Sequence, residues 1–145
     1  MSVLNRRIVL ARRPSGMISP DDLRYEEVEK GPLSGEGMVR IENRFISLDP
    51  ATRGWMDDKE SYMEPIAKGD VVRSGAIGEV TESHSEDYRP GDLVLGLFGW
   101  EEISDVHEKQ VGRKATRREG IPLSYELSVL GGNGLTAYFG LHEIG

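Results

Sequence analysis

Hydrophobic and polar positions alternate along much of the chain, and the pattern is clearest in a hairpin between residues 71 and 99. Apolar, β-branched runs at 71–72 with 77–81, and at 93–98, flank a polar segment that closes with Pro-Gly-Asp at 90–92. Runs of this length bounded by Gly, Pro and Asp are typical of antiparallel strands. Glycines within such strands usually mark bulges or sharp bends. The pattern therefore predicts a small, strongly coiled sheet.

Further strands are predicted on both sides of the hairpin. An apolar centre between arginines predicts a strand over 5–13, and alternation predicts strands over 23–28 and 38–48. After the hairpin, similar patterns predict strands over 100–106 and 110–115. Six or seven short strands with helices at the edges indicate a mainly β fold with short helices, a small, partly open β-barrel.

A strand that runs directly into a short helix is predicted at Asp49. The Asp49 side chain can accept hydrogen bonds as an N-cap, and Pro50 suits the first helical position because its missing N–H has no partner there. Such a corner places side chains in a cleft. The polar loop 57–68 that follows is of the kind that can cover a site.

Two helices are predicted near the end of the chain. Ser124 can cap a short helix over 124–130, and Asn133 can cap a last helix over 134–144. The last helix has a broad apolar face, formed by Leu135, Tyr138, Phe139 and Ile144.

Composition narrows the class of protein. The 145 residues are enough for one domain, and the net charge of −7 argues against nucleic-acid binding. A basic cluster at 113–118 is the exception, and we expect it to be a solvated loop. No apolar run approaches the roughly 20 residues that span a bilayer. The chain has no cysteine, which excludes disulfides and thiolate zinc sites and fits a cytoplasmic protein.

The segment Gly132–Ala137 matches G-x-G-x-x-A, the dinucleotide-binding fingerprint. That mechanism needs a βαβ unit and an acidic residue about 20 positions further on. Only eight residues follow Ala137, so the unit cannot be completed. A glycine-rich helix entry, either closely packed or facing a ligand, is the better interpretation.

Other candidates for chemistry are sparse. His84, His107 and His142 lack the spacing of metal ligands, so no metal site is expected. Tyr62 and Tyr138 can be packed aromatics with hydroxyls at the edge, or they can line a ligand pocket. Spacing alone leaves both alternatives open.

Four motifs together point to a known family: ISLDPATRGWM (46–56), GAIGEV (75–80), RPGDLVLGLFGWEE (89–102) and LSVLGGNGLTAYFGL (127–141). In this order the chain resembles the medium-chain dehydrogenase/reductase superfamily. It is most similar to the zinc-independent branch of alkenal double-bond reductases, prostaglandin reductases and curcumin reductases.

The resemblance implies a two-domain enzyme. A GroES-like barrel holds the substrate, a Rossmann domain binds NADPH, and hydride passes to the C=C bond of an α,β-unsaturated ketone or aldehyde. Residues 1–145 would be the GroES-like domain alone, inactive by itself and with little or no affinity for NADPH. The alternatives are a stand-alone, non-catalytic GroES-like binding module and the matching domain of a zinc-free quinone oxidoreductase.

The resemblance also implies cofactor-binding residues. Thr136 would approach the nicotinamide carboxamide, and the backbone of Gly132, Asn133 and Gly134 would form a wall beside the ring. Pro50 and Ala51 would face the cofactor and the substrate. Catalytic residues are not assigned, since the cofactor carries the chemistry in such enzymes.

The same resemblance implies that Ala51 is a substrate-binding position, with Arg53 on the same short helix. Tyr62 and Tyr138, as aromatics that can line a ligand pocket, are further candidates for binding the substrate. The branch usually has tyrosine at the position of Ala51 and Met-Pro at 132–133, so a roomier pocket is expected. The last helix would normally pack across the domain boundary. Because an exposed apolar face tends to find a partner, a homodimer through this helix is expected.

Overall fold

The computed structural model describes residues 2–144, in which seven strands form two sheets with short helices at their ends. The strands are β1 (Val3–Leu10), β2 (Leu23–Lys30), β3 (Met38–Ile46), β4 (Arg73–Ser83), β5 (Leu93–Gly99), β6 (Ile103–His107) and β7 (Val111–Lys114). The α-helices are α1 (Pro50–Trp55) and α2 (Gly132–Phe139), the latter continued by a π-helical turn (Gly140–Ile144). Single 3-10 turns cover Pro20–Asp22, Glu108–Gln110 and Leu123–Leu127.

The larger sheet is antiparallel, with the order β6-β3-β4-β5-β7, and the smaller one is the β1-β2 hairpin. Two bulges, between Arg40 and Ile41 and between Asn43 and Phe45, shift the register of β3 on β4. Bulges of this kind bend a strand and increase its twist. The predicted mainly β, partly open barrel is therefore confirmed.

A few backbone hydrogen bonds join the two sheets. The Ile8 amide donates to the Trp100 carbonyl at 2.8 Å, and the Val72 amide donates to the Ile8 carbonyl at 2.9 Å. The Trp100 amide in turn donates to the Val72 carbonyl at 2.5 Å. Because these bonds replace a continuous ladder, the barrel closes only in part.

Two hydrophobic clusters form the core. The first lies on the larger sheet and contains Val39, Ile41, Ala76, Val80, Val94, Phe98 and Val111. The second lies between the two sheets and α1 and contains Leu10, Trp55, Met56, Ile66 and Val72. The alternation that predicted β3 and β4 thus corresponds to residues that point into the first cluster.

A buried ion pair fastens β3 to the edge strand β6. The Arg40 guanidinium donates to both carboxylate oxygens of Asp105, at 2.7 and 3.0 Å, and to the Gly31 carbonyl at 2.8 Å. The Lys30 ammonium lies 3.6 Å from the same carboxylate. A charge buried this deeply is tolerated because each polar atom has a partner.

Two predicted elements differ in the structure. The strand predicted over 100–106 begins only at Ile103, because the backbone at Trp100 turns to pair with the other sheet. The helix predicted over 124–130 is a 3-10 turn over Leu123–Leu127 that follows Pro122, so Ser124 is not its cap.

We predict that Asp105→Asn lowers the free energy of unfolding by about 2 kcal/mol, because the buried Arg40 loses the charge of its bidentate partner and is left with Glu82, whose carboxylate lies 3.3 Å away. Urea unfolding followed by tryptophan fluorescence measures this loss. Asp87→Asn is the matched control, since Asp87 is exposed and its side chain makes no hydrogen bond within the described residues. Equal stability of the two variants would contradict the prediction.

Candidate active site

A cleft of about 280 Å³ lies where the ends of the central strands meet the turn before α2. Ser47 and Asp49 line it together with Gly132 and Asn133. Two motifs that the sequence singled out, far apart along the chain, therefore border the same opening. Side chains of Arg113 and Glu126 also contribute to its lining.

The glycines of the 132–134 motif have different surroundings. A β-carbon on Gly134 would overlap the carbonyl oxygen of Val129, so only glycine permits this close packing of α2 on the preceding turn. A β-carbon on Gly132 would meet nothing within 4 Å. The close-packed alternative therefore holds at Gly134. Gly132 lies in the lining of the cleft, and its contact with a ligand stays a prediction.

A buried carboxylate holds the turn that leads to α2. The Glu126 side chain is 3% exposed and accepts a hydrogen bond from Arg113 at 2.6 Å and another from Arg118. The hydrogen bond from Arg113, with that from Arg118, holds the pKa of Glu126 below its ordinary value. The basic cluster predicted to be a solvated loop is thus in part a clamp on Glu126. No spacing rule in the sequence indicated this long-range partner.

Asp49 lies at the N-cap position of α1, as predicted, with Pro50 as the first helical residue. Its side chain, however, makes no capping hydrogen bond; the Thr52 amide bonds to the Asp49 carbonyl at 3.1 Å instead. The carboxylate accepts a hydrogen bond from the Ser47 hydroxyl at 2.5 Å. The expected capping role is therefore wrong, and the carboxylate is left in the cleft.

Thr136 lies on α2 with its hydroxyl donating to the Gly132 carbonyl at 2.8 Å. This helix begins at Gly132 with Gly131 as its N-cap, not with Asn133 as the sequence predicted. None of its residues is buried, and the predicted apolar face is exposed.

The expected substrate-binding side chains lie outside the lining of this cleft. Ala51 is half-buried against the second core cluster, and Arg53 bonds to Asp57 at 2.7 Å and to loop carbonyls. Tyr62 is 79% exposed with its ring edge on Trp55, and Tyr138 packs on its helical neighbours. Their roles toward a substrate stay predictions.

Within residues 2–144, no group of three His, Asp or Glu side chains converges in a geometry that could hold a metal ion. In the same part of the chain, no helix is long and apolar enough to cross a bilayer.

Comparison with known proteins places these features in a family. Residues 6–113 match the family described as the N-terminal domain of oxidoreductase. The chain is 42% identical over 141 residues to the NADPH-dependent curcumin reductase of Escherichia coli, covering 97% of this chain and 40% of the relative. It is 34% identical over 146 residues to the NADP(+)-dependent 2-alkenal reductase of Nicotiana tabacum, covering 98% and 42%.

Solved structures show the same likeness. CurA from Vibrio vulnificus superposes with a TM-score of 0.78 at 33% identity, covering 96% of this chain and 40% of that one. CurA in complex with NADPH gives a TM-score of 0.75 at 31% identity, covering 95% and 40%. The chain thus spans about 40% of the length of the relatives it matches.

We predict that substitution by alanine changes the stability differently at two glycines of the motif. Gly134→Ala should lower the free energy of unfolding by about 1–3 kcal/mol, because the methyl group meets backbone that cannot move aside freely. Gly132→Ala, the control, should leave stability unchanged or raise it by up to about 1 kcal/mol, as alanine favours helices. Urea unfolding of both variants provides the comparison. A Gly134→Ala variant as stable as the control would contradict the close packing.

We predict that Glu126→Gln destabilises the chain by about 2 kcal/mol at neutral pH, because two guanidinium groups lose their shared carboxylate. Since the pKa of Glu126 is lowered in the folded state, its stabilisation is present above its unfolded pKa and is lost as pH falls through the folded pKa. The stability difference between wild type and variant should therefore shrink in acid. Urea unfolding across a pH series tests this. Glu119→Gln, at an exposed glutamate, is the control, and a gap that is constant with pH would refute the clamp.

Proposed function

The chain belongs to the family of oxidoreductase N-terminal domains, and from this we propose that it is the substrate-side domain of an NADPH-dependent reductase. The proposed reaction is reduction of the C=C bond of an α,β-unsaturated ketone or aldehyde. The observation that carries the proposal is the shared cleft, which the Asp49 corner lines together with Gly132 and Asn133.

The residues of the cleft fit a nicotinamide group. A flat ring can lie close to backbone where glycine carries no side chain, and the open space beside Gly132 leaves room for this. When bound, NADPH supplies the hydride. The work left to this chain is to orient the ring and the acceptor and to limit the access of water. The similar CurA structure solved with NADPH supports this reading of the cleft.

The proposed reaction does not need a catalytic triad or a metal cluster. Hydride transfer to an enone moves charge without requiring a nucleophilic side chain, and a proton then reaches the resulting enolate carbon. Strands β4 and β5 contribute lining residues, and Ser47 follows directly after β3, so part of the cleft is built on the central sheet. Preorganised backbone and charge are what such a reaction uses.

The substrate class rests on the relatives. Curcumin reductase and 2-alkenal reductase are the names of proteins that match nearly the whole of this chain. Ala51, beside the corner, is small and packs into the core rather than filling the opening. We therefore propose a bulky enone or an alkenal as substrate.

The gene product in its full encoded length should consume NADPH with a 2-alkenal or curcumin and yield the saturated carbonyl compound, identified by mass spectrometry. The 145-residue chain alone should show no turnover above background, because it spans only part of the relatives. A saturated aldehyde of equal length is the matched control substrate. Reduction of the carbonyl to an alcohol, or activity with quinones only, would overturn the proposed reaction.

A further inference from the structure

The carboxylate of Asp49 makes few contacts that stabilise the fold. It occupies an N-cap position without capping, and the hydroxyl of Ser47 donates to one of its oxygens at 2.5 Å. Among residues 2–144, no lysine or arginine forms an ion pair with it within 4.0 Å. Asp49 is half-buried and lines the same cleft as Gly132 and Asn133.

The other charges of the cleft do not neutralise Asp49. Arg113 lines the same cleft, but its guanidinium is bound to Glu126 at 2.6 Å and to the Lys114 carbonyl at 3.3 Å. The Glu126 carboxylate is in turn held by two arginines. Arg113, Arg118 and Glu126 together carry one net positive charge, but among residues 2–144 neither arginine lies within 4.0 Å of the Asp49 carboxylate, which therefore has no direct counter-ion. In a partly enclosed site such a charge attracts a cation more strongly than it would in open water.

The proposed function supplies a group whose charge changes in this cleft. Reduced nicotinamide is neutral, and loss of hydride with its electron pair leaves the ring a pyridinium cation. The acceptor C=C bond takes the hydride at one carbon, becomes an enolate, and is neutralised by a proton from solvent at the other carbon. A fixed carboxylate near the ring lowers the energy of the cationic form and leaves that of the neutral form nearly unchanged.

We propose that Asp49, oriented by Ser47, is the counter-ion of the nicotinamide ring in its oxidised, cationic state. This inference rests on the proposed function, since it takes the cleft to be the nicotinamide site. The proposal gives a function to the Asp49 carboxylate, which makes no capping hydrogen bond to α1. The Ser47 hydroxyl has a positioning role, because its hydrogen bond fixes where the charge lies.

The test uses the gene product in its full encoded length, because the 145-residue chain alone is expected to bind the cofactor weakly or not at all. Two small flat probes, the 1-methylnicotinamide cation and neutral nicotinamide, are titrated into that ¹⁵N-labelled protein, and amide shifts of 47–49 and 131–133 are followed by NMR. We expect both probes to shift these amides and the cation to bind about fivefold tighter, as for an ion pair that is not fully buried. In Asp49→Asn the preference should vanish while nicotinamide binding remains. In Ser47→Ala the preference should fall only in part.

Asp58→Asn is the matched control, because Asp58 is exposed and pairs with Arg13. It should keep the full preference for the cation. Retained binding of neutral nicotinamide by Asp49→Asn shows that the cleft is still folded. The inference is overturned if wild type binds both probes equally, if Asp49→Asn keeps the preference, or if neither probe shifts the cleft amides.

The outcomes also separate this inference from the proposed function. If the full gene product reduces enones while Asp49→Asn leaves the cation preference intact, the counter-ion role falls and the reductase stands. If the cation preference depends on Asp49 but no enone is reduced, the counter-ion role stands and the proposed reaction falls.

Discussion

The placement of the Glu126 carboxylate between two arginines is the constraint on which the candidate site depends. It ties the 3-10 turn before α2 to β7 through Arg113, and to the intervening loop through Arg118. Without it, the Gly131–Asn133 turn would have only backbone contacts to hold it at the cleft that Asp49 also lines. A buried carboxylate is costly unless its oxygens are satisfied, and here two guanidinium groups satisfy them. The position of this wall of the cleft therefore depends on the ion pairs of Glu126 with Arg113 and Arg118.

The barrel supplies the other fixed side of the cleft. β3 has a register shift at Arg44, near the end that leads to the Asp49 corner, and it is fastened to β6 by Arg40 and Asp105. The second core cluster packs beneath α1 and keeps that corner against the small sheet. Packing, rather than loop sequence, thus sets the position of Ser47 and Asp49. This arrangement suits a site that must be rigid before any ligand arrives.

The sequence predicted local features well and long-range pairings poorly. β-branched alternation located β3, β4 and β5, and the Asp-Pro pair located the start of α1, because each depends on neighbours along the chain. The strand predicted from Trp100 failed because its backbone pairs with the other sheet, which no local pattern shows. The burial of Glu126 was missed for the same reason. The glycine motif pointed to the right place, but only the structure separates Gly134, which packs, from Gly132, which faces the cleft.

Two carboxylates in one cleft have opposite environments, and the difference matters for function. Glu126 accepts hydrogen bonds from two arginines, so its charge is already paired within the fold and is not available to a ligand. Asp49 has a single hydroxyl donor, so its charge remains available to whatever enters. A protein that only needed stability would gain from pairing or capping with Asp49, as N-cap carboxylates ordinarily do. Among residues 2–144 no ion pair offsets this charge, and that is the observation on which the proposed counter-ion role of Asp49 rests.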